Sequence, residues 1–300
     1  MSCILSTVEE HDSQADSVPL PPPIPDPRFA FLLLCAVIAI ERFAFYLLFS
    51  LFTLYLLSLN RTEAEATIEF GLFTSAMYFA PLVGGFVAVR AGRWTTILFG
   101  VALLAIGYLA LGIDLSVSVS LAFLATGTGL FKGNITALVG SLFPQSERDS
   151  AYSRFYWAVN LGSLPSGLVG AWLSSRYGFR AAFLLCFAVM ALVIPFGILS
   201  RDSFRDTAIE SESAQHHTTD HERIVTILTL LPVAMLFFCA FYQTGTSLTL
   251  FAKNNTQTAL FGIPIAPPVY QSIHPALVLV LTPILVRFFR RWPMTTWKKL

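Results

Sequence analysis

Residues 29–59 read FAFLLLCAVIAIERFAFYLLFSLFTLYLLSL, an apolar run broken near its middle by Glu41 and Arg42. About 30 residues at ~1.5 Å per residue make a helix of roughly 45 Å, enough to cross a bilayer core with tilt. A charge at mid-membrane costs at least about 2.5–3.5 kcal/mol, so it normally faces a bundle interior or a watery cavity. Sequence neighbours on a helix point about 100° apart, which predicts that Glu41 and Arg42 look to different partners. Arg42, Tyr46 and Phe49 share one face, and Glu41, Phe45 and Leu48 the next. Two readings stand: a polar site inside a membrane bundle, or an ion pair that locks two helices together.

Composition points the same way. Hydrophobic residues make up 55 % of the chain and charged residues only 12 %, against roughly 25 % charged in a soluble domain. Mean hydropathy is +0.67. These values define a polytopic membrane protein. A basic stripe is lacking outside short loops, which argues against a nucleic-acid partner. Cys3, Cys35, Cys186 and Cys239 are scattered, so neither a disulfide framework nor a CxxC metal site is expected. His216, His217, Asp220, His221 and Glu222 have metal-ligand chemistry, but they lie in a polar loop without a second ligand set, and a solvated loop is expected. No cofactor is implied.

Eight apolar spans can be drawn, over residues 29–59, 68–90, 94–113, 115–142, 151–173, 180–199, 225–252 and 272–290. Residues 1–28 are polar and then proline-rich, with no apolar core segment of a signal peptide, and read as a disordered tail. Residues 29–199 form a six-helix bundle, 200–223 a charged linker, and 224–300 the start of a second bundle with two helices. Arg28, Arg90, Arg93, Arg148, Arg154, Arg201, Arg205, Arg223, Arg287, Arg290 and Arg291 gather on one side, with Lys298 and Lys299. The other side has only Arg61, Arg176, Arg180 and Lys253. The N-terminus and the linker are therefore expected to be cytoplasmic, in a plasma (inner) membrane.

Polar residues inside the spans mark the candidate site. The fourth span holds Lys132 at depth, ten residues before Leu142, in a glycine-dense stretch where Gly129 and Gly133 are spaced for close helix contact. Gly84 and Gly85 suggest a similar contact in the second span. Lys132 is the natural partner of Glu41 if the first and fourth spans face each other; otherwise it snorkels to an interface. The fifth span carries Asn160 and Pro165. The seventh carries Tyr242, Gln243, Thr244, Thr246 and Ser247, which either line a cavity or join helices. Asn60-Arg-Thr62 and Asn254-Asn-Thr256 fit the glycosylation triplet, a pattern frequent by chance.

Four stretches in order resemble the proton-dependent oligopeptide transporter family of the major facilitator superfamily. Glu41-Arg42-Phe43-Ala-Phe45-Tyr46 resembles the family's ExxERFxYY motif in helix one, and Phe131-Lys132-Gly133-Asn134 its FKPN motif in helix four. Asp149-Ser150-Ala151-Tyr152-Ser-Arg154-Phe155-Tyr156, running to Asn160-Leu161-Gly162, is similar to its helix-five signature. Gln243-Thr-Gly245-Thr-Ser247-Leu248, with Gln271-Ser272-Ile-His274-Pro275, is similar to its helix-seven and helix-eight pattern. The resemblance implies an all-α membrane protein of major-facilitator type, with eight transmembrane helices here of an expected twelve. It also implies di- or tripeptides and protons as partners, within a lipid bilayer, moved by alternating access.

Carried over by position, Arg42, Tyr46, Tyr78, Lys132, Asn160, Gln243, Ser247 and His274 are the expected substrate-binding residues, and Glu41 with Lys132 the expected proton-coupling pair. The sequence also departs from the family. Motif acids fall on Ile38 and Tyr242, a motif tyrosine on Phe45, and an arginine on Phe49. The FKPN proline is Gly133, the asparagine before the helix-eight proline is His274, and a gating aspartate falls on Val89. Weakened proton coupling is the expectation. The chain stops at Leu300, just past helix eight, and is expected to be a fragment. The alternatives are a transporter of another small solute, or a non-transporting membrane sensor or binding protein on the same fold. The spans hold no metal pair or nucleophile–base pair, so an enzyme is not expected.

Overall fold

The corners between helices are set by single residues in left-handed backbone. In the computed structural model, which describes residues 27–204, 220–256, 259–260 and 263–291, helix α1 covers Pro27–Ser58 and ends at Asn60, whose φ is 62°. The Asn60 and Arg61 amides return to the carbonyls of Leu57 and Leu56, at 3.1 and 3.2 Å. This pairing satisfies the last orphan carbonyls of a helix when a residue that tolerates φ > 0 follows it. Thr62 then opens α2 (Glu63–Ala91): its hydroxyl accepts from the Glu65 amide, and the Glu65 carboxylate accepts from the Thr62 amide. The same solution recurs at Asp114, φ 53°, between α3 (Arg93–Gly112) and α4 (Val117–Ser141). Gly92 and Gly178, φ 83° and 82°, make the corners before α3 and between α5 (Arg148–Tyr177) and α6 (Phe179–Leu199).

These six helices pack as a bundle, α1 against α5 and α6, α3 against α4 and α6, and α2 against α4. Three contacts are backbone-close, one of them between α5 and α1, where a Cβ on Gly162 would strike the Ala39 carbonyl. A Cβ on Gly84 would strike the Gly129 carbonyl, and one on Gly100 would lie 2.9 Å from the Gly127 oxygen. The glycines that α4 presents are thus Gly127 and Gly129. Gly133 meets only Pro81, at 3.9 Å, and Gly85 meets nothing. At the opposite end of α3 from Asp114, Trp94 donates its indole N–H to the Gly197 carbonyl at 2.9 Å and stacks on Phe204, which follows α6.

The seventh span is divided. Helix α7 covers Asp220–Tyr242, a 3-10 turn covers Gln243–Gly245, and α8 covers Ser247–Asn255. The sequence predicts one continuous span over 225–252; the break falls where Thr244 and Thr249 bond backbone carbonyls through their hydroxyls, at 2.8 Å each. Carbonyls freed by the break need partners inside a membrane. The Gly245 oxygen accepts from the Thr53 hydroxyl of α1 at 2.6 Å, and the Thr244 oxygen from Thr249 and the Gln271 amide. A two-residue antiparallel ladder pairs Ala259 with Pro264 and Leu260 with Ile263. A 3-10 turn at Pro267–Ser272 then leads into α9 (Ile273–Arg291), packed on α5.

The architecture is that of an all-α membrane bundle with eight helical spans among the described residues. Six are long and apolar enough by composition to cross a membrane; α4 and α5, which hold the glycine-rich and polar stretches, are the two less apolar ones. The expected tail 1–28 and linker 200–223 lie largely outside the described residues, as do the histidines at 216 and 217 and the segment after Arg291.

Candidate functional site

A cavity of about 230 Å³ lies where α1, α2, α4 and α5 meet α7 and α9. Five expected residues from the first bundle line it: Arg42, Tyr46, Tyr78, Lys132 and Asn160. His274 lines it from α9. Helical spacing accounts for the convergence, since Arg42, Phe45 and Tyr46 lie one turn apart or less, as do Tyr156, Val159 and Asn160. Gln243 and Ser247 are not brought to the cavity. Both are exposed, and the Ser247 hydroxyl donates to the Gln243 side-chain oxygen at 2.6 Å.

The ionic partners differ from those the sequence predicts. Glu41 pairs with its own neighbour: Arg42 Nε and Nη2 donate to the two Glu41 oxygens at 2.5 and 2.6 Å. The carboxylate is 1 % exposed and the arginine 7 %. Divergence of neighbouring Cβ atoms does not prevent this, because the long, flexible arginine side chain swings back to present its two-pronged edge to the carboxylate. Lys132 has no carboxylate within 4.0 Å among the described residues; its ammonium lies 4.9 Å from the centre of the Tyr78 ring. Helices α1 and α4 touch only slightly, since α2 and α3 take most of the α4 surface. The expected Glu41–Lys132 pair is therefore absent.

Aromatic residues supply the rest of the wall. The hydroxyls of Tyr78 and Tyr242 meet at 2.9 Å, joining α2 to α7. Phe237, Phe238 and Phe241 cover the α7 side, and the Phe241 ring meets His274 at 5.7 Å. Val159 and these phenylalanines are lining residues that the sequence reading does not single out, and Tyr156 enters it only within the helix-five signature; an apolar or aromatic position in a membrane helix carries no mark of facing a cavity. Asn160 donates to the Tyr156 carbonyl at 2.9 Å, which leaves its amide oxygen as an acceptor. Asn134 lies off the cavity and donates to the Gly84 and Leu130 carbonyls, fixing α4 to α2.

Cations and hydrogen-bonding groups around one cavity in an apolar bundle form a polar solute site of an integral membrane protein. Residues 34–297 match the family model of the Major Facilitator Superfamily, and the chain belongs to that superfamily. Its relatives lie in the oligopeptide-transporter branch that the four motif stretches resemble. Dipeptide and tripeptide permease A of Edwardsiella piscicida is 27 % identical, with 87 % of this chain and 66 % of the relative covered. The permease of the same description from Salmonella typhimurium is 26 % identical, with 87 % and 64 % covered. The chain thus spans just under two thirds of the length of these curated relatives. Among solved structures, a POT family transporter in complex with 5-aminolevulinic acid superposes with a TM-score of 0.76 at 20 % identity, covering 88 % of this chain and 70 % of that one. A bacterial homologue of the human drug peptide transporters PepT1 and PepT2 gives 0.71 at 23 %, covering 87 % and 71 %.

Proposed function

We propose that this protein carries short peptides across the membrane by alternating access, with weak proton coupling. The observation that carries this reading is the cavity, in which two cations, Arg42 and Lys132, share one small space with tyrosines and phenylalanines. Cations hold a peptide carboxylate, and aromatic walls accept varied side chains without demanding one of them. Relatives described as dipeptide and tripeptide permeases support the same solute class. Lys132 takes the carboxylate first, because its charge has no acidic partner among the described residues, while Tyr46, Tyr78 and Asn160 add polar contacts. Arg42 has donors beyond those given to Glu41. A solute carboxylate that draws Arg42 away leaves Glu41 as the group that takes up a proton.

The test is uptake of labelled di-alanine into liposomes holding the purified chain, with and without an imposed pH gradient. Saturable uptake above protein-free liposomes is expected, with little stimulation by the gradient. Arg42→Lys lowers uptake, because lysine lacks the planar fork that can hold Glu41 and a solute together. Binding without uptake would replace this reading with that of a non-transporting binding protein. Strong concentrative uptake that survives Glu41→Gln would show that the proton takes another route.

A further inference from the structure

We propose that the cavity selects its solute by a carboxylate and not by an amine, so that N-acylated short peptides bind in preference to peptides with a free amino terminus. The inference rests on the reading of this cavity as a peptide site. Its basis is the charge around the space. Arg42 and Lys132 line it, and among the described residues no carboxylate does. The adjacent acid, Glu41, is 1 % exposed and has both oxygens engaged by Arg42. A free-amine peptide brings an ammonium for which these walls offer no counter-ion. An N-acylated peptide brings one negative charge, which Lys132 lacks in this structure.

Neutral groups make up only part of the difference: the Asn160 amide oxygen and the His274 ring can accept hydrogen bonds, but they bring no negative charge. An ammonium can rest on an aromatic face, but Lys132 already lies over Tyr78 at 4.9 Å and Arg42 over Phe45 at 4.7 Å, and the rings that remain carry no charge to balance it. The hydroxyls of Tyr78 and Tyr242 are bonded to each other. A second ammonium would also share about 230 Å³ with Lys132, whose charge has no acidic partner among the described residues, whereas Arg42 is neutralised by Glu41; like charges without a counter-ion repel strongly where water is scarce. Phe237, Phe238 and Phe241 form an apolar wall. That wall suits an acyl cap, which loses little on leaving water, and is a poor surface for a hydrated ammonium.

Binding of di-alanine, N-acetyl-di-alanine and di-alanine amide to the purified chain in lipid nanodiscs tests this. N-acetyl-di-alanine is expected to bind at least about tenfold more tightly than di-alanine, because both carry the carboxylate and only di-alanine brings an ammonium that must leave water without a counter-ion. The amide, which has the amine and lacks the carboxylate, should show no saturable binding. Tighter binding of di-alanine than of its acetyl form overturns the inference and leaves the peptide reading standing. No binding of any of the three overturns both. Lys132→Gln should weaken N-acetyl-di-alanine by at least about tenfold, and Lys132→Arg should restore most of it. Unchanged affinity in a Lys132→Gln protein with the wild-type circular dichroism and gel-filtration profile would also overturn the inference.

Discussion

Glu41 and Arg42 are neighbours 1 % and 7 % exposed that neutralise each other within one turn of one helix. Removing one partner of a buried pair leaves the other charge uncompensated, at a cost of about 3–5 kcal/mol. Glu41→Gln should therefore lower the thermal stability of the detergent-purified protein clearly. Glu41→Gln combined with Arg42→Met should be more stable than Glu41→Gln alone, since the stranded charge is gone; a double variant less stable than that single one would contradict the pairing. The depth of these charges was legible in the sequence, because two ionisable residues in a 31-residue apolar run have to face protein. Their partners were not. Helical periodicity gives the direction of Cβ and says nothing of where a long arginine side chain bends. The same limit hid the contact of Lys132 with Tyr78.

Between elements, the small residues decide how close helices come. The spans and the glycine-rich stretch of α4 were read from hydropathy and composition, but which glycines touch depends on helix rotation, and that is fixed only by packing. Gly84 and Gly85 differ by about 100° around α2. A Cβ on the first meets the backbone of Gly129, and a Cβ on the second meets nothing within 4 Å. Gly84→Ala should cost about 1–3 kcal/mol or more, since backbone cannot yield as a flexible side chain does. Gly85→Ala should be neutral or stabilise by up to about 1 kcal/mol through helix propensity. Thermal unfolding of the two variants under identical conditions checks the contrast, and equal losses would refute the α2–α4 contact. The division of the seventh span was likewise hidden, because its freed carbonyls find partners, Thr53 and Gln271, that lie far away in sequence.

Across the whole molecule, the contacts that join the first six helices to α7–α9 gather toward the end that carries Asn60. Thr53 bonds the Gly245 carbonyl, Asn254 donates to Glu63 at 3.1 Å, and Gly167 packs against Pro268 and Ser272. Toward the other end, the described α7 residues from 225 to 240 with an assigned exposure are all exposed. On the proposed transport reading, contacts gathered at one end hold that end together in one of the two states that alternating access requires. On that proposed cycle, exchange requires the Asn60 end to open, which separates Glu63 from Asn254. Glu63→Cys with Asn254→Cys, bridged by a short bifunctional thiol reagent, should hold that end shut and abolish counterflow of a bound solute in liposomes. Solute binding from the other end should persist, and either single-cysteine variant treated in the same way should exchange normally. Full counterflow in a quantitatively cross-linked protein would mean that this end does not open during transport, and the solute would need a path that leaves Glu63 and Asn254 together.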